Sequence, residues 1–334
     1  MDQTVKKVDF HTHILPEELP DFGKQYGGER WPSIERVDEN TSHIMVQGKI
    51  FRKINSETWN PAKKIESMNH DGIDMQVLSP IPIGLCYWAP AKGAAEIARL
   101  QNEYIADMVK KHPDRFIGLG TVPLQDTEAA IQEMDYCMHT LGLKGIEIGT
   151  NVNGLGLDDP SFAPFFERAE NWNVPLFFHP YDMVGKERTA KSGLTYTVAM
   201  PIELALAAAN FVMSGMFERF PKLKICLAHG GGAFPFILPR IEQGWHCFPD
   251  SRKTPYPPSH YAKYFYYDAL VYNPMNVEYL ARLFGHGRLL MGTDYPFPIQ
   301  ETPPGKSVLE TDRLTQEQKE AIMGGNALRF LQIP

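Results

Sequence analysis

Two histidines one residue apart, His11 and His13 in the run Asp9-Phe10-His11-Thr12-His13, end the first apolar stretch of the chain. On an extended strand, residues i and i+2 project from one face with backbone positions about 7 Å apart, so two imidazoles can converge on one cation. The plainer alternative is two histidines on a polar strand edge. His179 in LFFHP, His229 in ICLAHGGG and Asp294 in LLMGTD stand in the same relation to three later apolar runs. Buried imidazoles and a buried carboxylate need partners, and a shared divalent cation serves them all. Three imidazoles with one carboxylate leave a position for water, the make-up of a catalytic zinc site rather than a closed structural one. Zinc (Zn2+) is the expected metal and manganese (Mn2+) the second choice. The other histidines, His43, His70, His112, His139, His246, His260 and His286, fall in predicted helices or loops and read as surface or structural, with His246 held open.

The elements that must carry these residues are short apolar runs without strict alternation. They are VDFHTH, MQVLS after Asp74, FIGLGTVP at Phe116, KGIEIG at Lys144, VPLFFHP at Val174, LKICLAHGGG at Leu223, KYFYYDAL at Lys263 and RLLMGTDYPF at Arg288. Helical stretches lie between them: 90–111, 127–140, 160–173, 201–220 and 275–284. Continuous apolar strands alternating with helices predict a parallel sheet covered on both faces, and a set of eight predicts closure into a (β/α)8 TIM barrel. Barrel enzymes build their sites at the C-terminal ends of the strands, where the candidate residues fall. The segment at about 16–60 breaks the rhythm, and its runs SHIMVQG and KIFRKIN predict a hairpin inserted after strand one. A second irregular stretch, 182–197, predicts an active-site loop. Gly230, Gly231 and Gly232 either permit tight packing or bring free backbone N–H groups close to a ligand.

The 334 residues, 43% of them hydrophobic, supply one large core, so a single domain over 1–334 is expected. Acidic residues outnumber basic ones by 40 to 33, and no basic run tracks a phosphate backbone, which argues against a nucleic-acid partner. That balance still permits an anionic substrate, because arginines inside a concave site outweigh a screened exterior. Cys86, Cys137, Cys226 and Cys247 form no CxxC pair, and the N-terminal residues show no export signal; a cytoplasmic protein is expected. The most apolar long stretch, 198–217, carries Pro201, Glu203 and Asn210 and reads as a packed helix rather than a membrane span.

Taken together, HTH, FFHP, AHGGGAFPF and GTDYPFP resemble the amidohydrolase-related decarboxylases, among them those acting on 2-amino-3-carboxymuconate-6-semialdehyde. The likeness runs almost end to end, through HILPEELPDF, GKIFRKI, WNPAKKIESM, FIGLGTVPLQ, AMPIELA, FERFPKLKIC and GNALRFL. It implies a zinc-dependent carboxy-lyase with the metal on His11, His13, His179 and Asp294, and His229 as general acid/base beside it. Asp294 shares in the catalytic chemistry. It also implies that Arg52 and Arg240 clamp the carboxylate of a small-molecule substrate, Arg240 entering from the other subunit of a homodimer. Read alone, Arg240 fits a solvated helix position equally. The chain departs from the family pattern at Phe248, where an arginine is expected, and at Ser192-Gly193 and Tyr196, where tryptophans are.

These departures bear on the substrate. A small unsaturated acid such as the semialdehyde is one reading, and an ortho-hydroxy aromatic or heteroaromatic acid is another. A zinc hydrolase or hydratase acting on a lactone, amide or ring-cleavage product uses the same site. A metal-stabilised binding protein is a further alternative, which leaves His229 without a task.

Overall fold

The computed structural model describes residues 6–334; residues 1–5, on which part of the expectation about export rests, lie outside the described residues. Eight parallel strands close into the barrel that the apolar runs predict. They are β1 Val8–Ile14, β2 Met75–Pro80, β3 Phe116–Gly118 with its continuation Gly120–Thr121, β4 Ile146–Gly149, β5 Pro175–His179, β6 Lys224–Leu227, β7 Tyr266–Asp268 and β8 Leu289–Leu290. Each pairs with the next. The ring closes between the last strand and the first through Phe10 N–H to Met291 O (2.8 Å) and Asp294 N–H to His11 O (2.9 Å). Buried on both faces, such strands carry Val, Ile, Leu and Phe without alternation.

Helices cover the outside, begun by side-chain caps where the sequence supplies them. Asn60 accepts from the Ala62 N–H ahead of Pro61, Asp126 from Ala129, and Asn273 from Met275 ahead of Pro274. The helix predicted over 201–220 stops at Met213, because Gly215 takes a left-handed φ of 83° before a short helix, Met216–Arg219. Thr195–Met213 is long and apolar enough to cross a membrane by length and composition. In the barrel it lays Leu204, Ala208, Phe211 and Val212 on the core, and its buried Glu203 accepts from the Val184 N–H (2.8 Å) and Asn151 Nδ2 (3.0 Å).

The segment after β1 folds as a three-stranded antiparallel sheet. The predicted pair of runs forms Thr41–Val46 and Lys49–Asn55, and Ser33–Arg36 adds a strand that the sequence did not announce. Ile44 and Ile54 bury their side chains in one cluster with Leu15, Trp59, Ile81 and Phe297, pinning the sheet over the C-terminal mouth of the barrel. Residues 52 and 54 share a strand face. The burial that fixes Ile54 therefore also aims Arg52 at the mouth.

Candidate metal centre

His11 and His13, two apart on β1, are fully buried and bring their Nε2 atoms within 3.1 Å of each other. His11 Nδ1 lies 2.7 Å from Asp268 Oδ2, and His13 Nδ1 lies 3.0 Å from the carbonyl of Pro80. Both acceptors take a proton and give none, so each Nδ1 carries the hydrogen and each Nε2 presents a lone pair. His179, the last residue of β5, repeats the arrangement: Nδ1 faces the Pro180 carbonyl at 3.2 Å, while its buried Nε2 has no hydrogen-bond partner among the described residues. Asp294 adds Oδ1 at 3.2 Å from His13 Nε2 and 3.6 Å from His11 Nε2.

Lone pairs facing one another in a dry site repel, and a cation at their focus removes the conflict. One donor atom from each of His11, His13, His179 and Asp294 falls within 4.8 Å of the others, so these residues form a metal site. Electrostatics agrees with that use. Burial pushes the His11 ring below the ordinary imidazole value, and burial together with the neighbouring imidazoles holds His179 well below it. Burial alone would raise Asp294, but the imidazoles around it, His13 and His229 foremost, hold its carboxyl well below the ordinary range. Neutral rings and an ionised carboxylate are what a divalent ion requires.

Asp294 does not close β8, whose pairing ends at Leu290; it sits beyond, with φ 68°. Gly292 makes this path possible, since a Cβ there would lie 2.7 Å from the Cβ of His11.

His229 follows β6 with φ 49° and a side chain 12% exposed, its Nε2 3.7 Å from Asp294 Oδ2. Burial works against its charge, yet the neighbouring carboxylate of Asp294 carries its pKa above the ordinary value. It thus stands beside the cluster as a protonatable group rather than within it. Of the two readings of the three glycines, packing holds. A Cβ on Gly230 would meet Val271 at 2.4 Å and one on Gly232 the Pro201 carbonyl at 2.2 Å. Their N–H groups are also engaged within the chain, on Asp268, Ala228 O and His229 O for Gly230, Gly231 and Gly232 in turn.

Arg52 reaches the site through an aromatic ring: its guanidinium lies 3.9 Å from the centre of the Phe297 ring, which in turn stacks on His13 at 5.2 Å. Tyr196, from the irregular loop after β5, borders the same guanidinium at 5.3 Å. Arg240 stays outside. It is exposed on the helix Phe234–Cys247, with no carboxylate partner among the described residues, and His246 and Phe248 near the end of that helix are exposed too.

Two residues without an assigned role in the sequence reading belong to this region. Asp268 ends β7 and bonds His11. Glu147 on β4 is buried with neither carboxylate oxygen partnered among the described residues, and burial pushes it up to about 7.

The amidohydrolase family profile matches residues 8–333. Over 97% of this chain and 91% of its own length, a 2-amino-3-carboxymuconate-6-semialdehyde decarboxylase of Dictyostelium discoideum is 43% identical. The crystal structure of 5-carboxyvanillate decarboxylase from Sphingomonas paucimobilis matches 99% of this chain and all of its own (100%), with a TM-score of 0.84 and 25% identity. A dihydroxybenzoic acid decarboxylase from Polaromonas sp., solved with bound manganese and an inhibitor, shares the fold at a TM-score of 0.77 and 22% identity, over 98% of this chain and 97% of its own.

Proposed function

The chain belongs to the amidohydrolase family, and on that premise we propose that it is a metal-dependent, non-oxidative decarboxylase of a small unsaturated or aromatic carboxylic acid. The observation that carries the reading is the convergence of His11, His13, His179 and Asp294 with the protonatable His229 alongside. A binding protein needs no such proton donor. The donor set of three imidazoles and one carboxylate supports zinc as the cation; manganese is the alternative, the ion bound in the Polaromonas sp. structure. When bound, it supplies Lewis-acid charge to oxygen atoms of the substrate.

The residues of the chain divide the rest of the work. Arg52 holds the carboxylate end of the substrate with its planar fork, stiffened by stacking on Phe297. Tyr196, exposed beside that guanidinium, offers an aromatic surface to a flat, conjugated molecule. His229 delivers a proton to the carbon bearing the carboxylate. The C–C bond then breaks, its electron pair returns to the conjugated system, and carbon dioxide leaves. Asp294 favours the charged form of His229 before transfer. One proton is consumed per turnover and regained from solvent.

Identity of 43% favours 2-amino-3-carboxymuconate-6-semialdehyde or a related ring-cleavage product as substrate. An ortho-hydroxy aromatic acid is favoured instead by the likeness to 5-carboxyvanillate decarboxylase. The working form is a homodimer in which Arg240, exposed beside the 81% exposed Phe236, reaches the pocket of the partner subunit. Three buried thiols and the exposed Cys247, all free, suit a reducing cytoplasm.

The test is release of carbon dioxide under nitrogen by the metal-loaded protein, across a panel of carboxymuconate semialdehydes and ortho-hydroxy aromatic acids. His229→Ala should keep the metal and lose about a hundredfold or more in turnover. Loss of the metal in that variant would make His229 a ligand, and absence of release from every acid would favour hydrolysis or hydration.

A further inference from the structure

Asp268 takes no part in the chemistry just described, yet it accepts hydrogen bonds from four donors. Its Oδ2 accepts from His11 Nδ1 (2.7 Å) and the His229 N–H (2.9 Å), and its Oδ1 from the N–H groups of Gly230 (2.8 Å) and Leu270 (3.2 Å). The side chain is fully buried and makes no ion pair with Lys or Arg among the described residues. Two of the donors hold the backbone at His229 and Gly230 in the left-handed region, φ 49° and 61°, a conformation that costs a histidine energy unless its surroundings impose it. The third holds the ring of a metal ligand on a strand that is not a neighbour of β7.

That reach is made possible by Gly292. It stands just beyond β8, between the two residues, and a Cβ on it would lie 2.7 Å from that of His11 and 3.4 Å from that of Asp268. A single carboxylate thereby ties the loop after β6, the end of β7 and β1 together across the gap left by one glycine.

We propose that Asp268 is a positioning residue that couples the metal centre to the proton donor, so that the orientation of His11 and the backbone bearing His229 are set by the same carboxylate. A neutral amide in its place does not serve both ends. Asparagine in its place offers one oxygen and one NH2 to four donors, so either the His11 bond or the paired N–H bonds must fail. The part of the inference that concerns turnover rests on His229 being the proton donor; the part that concerns the metal does not.

Asp268→Asn should weaken zinc binding, read by competition with a chelator, about 10–100-fold. With zinc saturating, it should also lower kcat at least tenfold while KM stays within about twofold, because Arg52 and Phe297 are untouched. Unchanged zinc affinity together with a normal kcat once zinc saturates would overturn the coupling. If the variant does not fold, amide hydrogen exchange decides the matter on His229→Ala protein, where the imidazole link to Asp294 is gone. Zinc should then still slow exchange at the amides of residues 229 and 230, and no change at these amides would refute the proposal. Should the wild-type chain release carbon dioxide from no acid, the zinc and exchange measurements still decide it.

Discussion

Replacing Glu147 by glutamine should make the metal-free protein more stable at alkaline pH. The carboxyl of Glu147 is fully buried on β4, inside the barrel, with both oxygens unpartnered among the described residues. The neighbouring Ser79 hydroxyl donates to the Thr12 carbonyl at 3.1 Å. Burial pushes the carboxyl from an ordinary 4.5 to about 7, against the pull of nearby His13. Between those two values the folded chain keeps a proton that the unfolded chain has released, so stability falls as pH rises through that window. At about 1.4 kcal/mol per pH unit of separation, ionising Glu147 within the fold costs about 3 kcal/mol at pH 8, and most of that cost is absent at pH 5. Glutamine keeps the shape and cannot ionise. Urea unfolding of wild type and Glu147→Gln at pH 5 and pH 8, with metal stripped, should therefore give similar stabilities at the lower pH and an advantage of about 3 kcal/mol for the variant at the higher. Titrating groups remote from Glu147 cancel in the difference. Parallel pH dependence of the two proteins would refute the reasoning and mean that Glu147 finds a compensating partner.

His11→Ala and His179→Ala should each lose both metal and activity, which metal analysis of the purified variants checks; full occupancy in either would remove that residue from the ligand set. Arg52→Lys keeps the charge but gives up the planar stack on Phe297. It should raise KM about tenfold with metal content unchanged, from the loss of roughly 1 kcal/mol or more of cation–π contact and of the bidentate grip; an unaltered KM would place the substrate carboxylate elsewhere. Mixing Arg240→Ala with His229→Ala protein should restore activity in about a quarter of the sites, since half of randomly exchanged dimers are hybrids with one intact site each. No recovery after verified subunit exchange would confine the site to one chain.

Local periodicity made much of this molecule readable in advance. The eight apolar runs, the helices between them and the pairing of His11 with His13 depend only on neighbours a few residues away, and the alternation of a strand projects i and i+2 to one side in any fold. The likeness of HTH, FFHP, AHGGG and GTDYPFP to known motifs then brought His179, His229, Asp294 and the two arginines into one description. Less was legible where a residue's task depends on what packs against it. In GTDYPFP nothing sets Phe297 apart as the ring joining Arg52 to His13, because the sheet that delivers Arg52 folds back over the mouth from an insertion. The three glycines after His229 suited a ligand cradle as well as a packing contact until Val271 and Pro201 were seen against them.

By itself, the sequence determined the class of fold, the strand-end histidines and, through its motifs, the candidate ligands. Asp268 looked like any aspartate ending a buried strand. Its hydrogen bond to His11 joins residues 257 positions apart and passes over a glycine on a third element. Barrel closure alone brings those elements together, and a contact made by closure leaves no periodic trace along the chain.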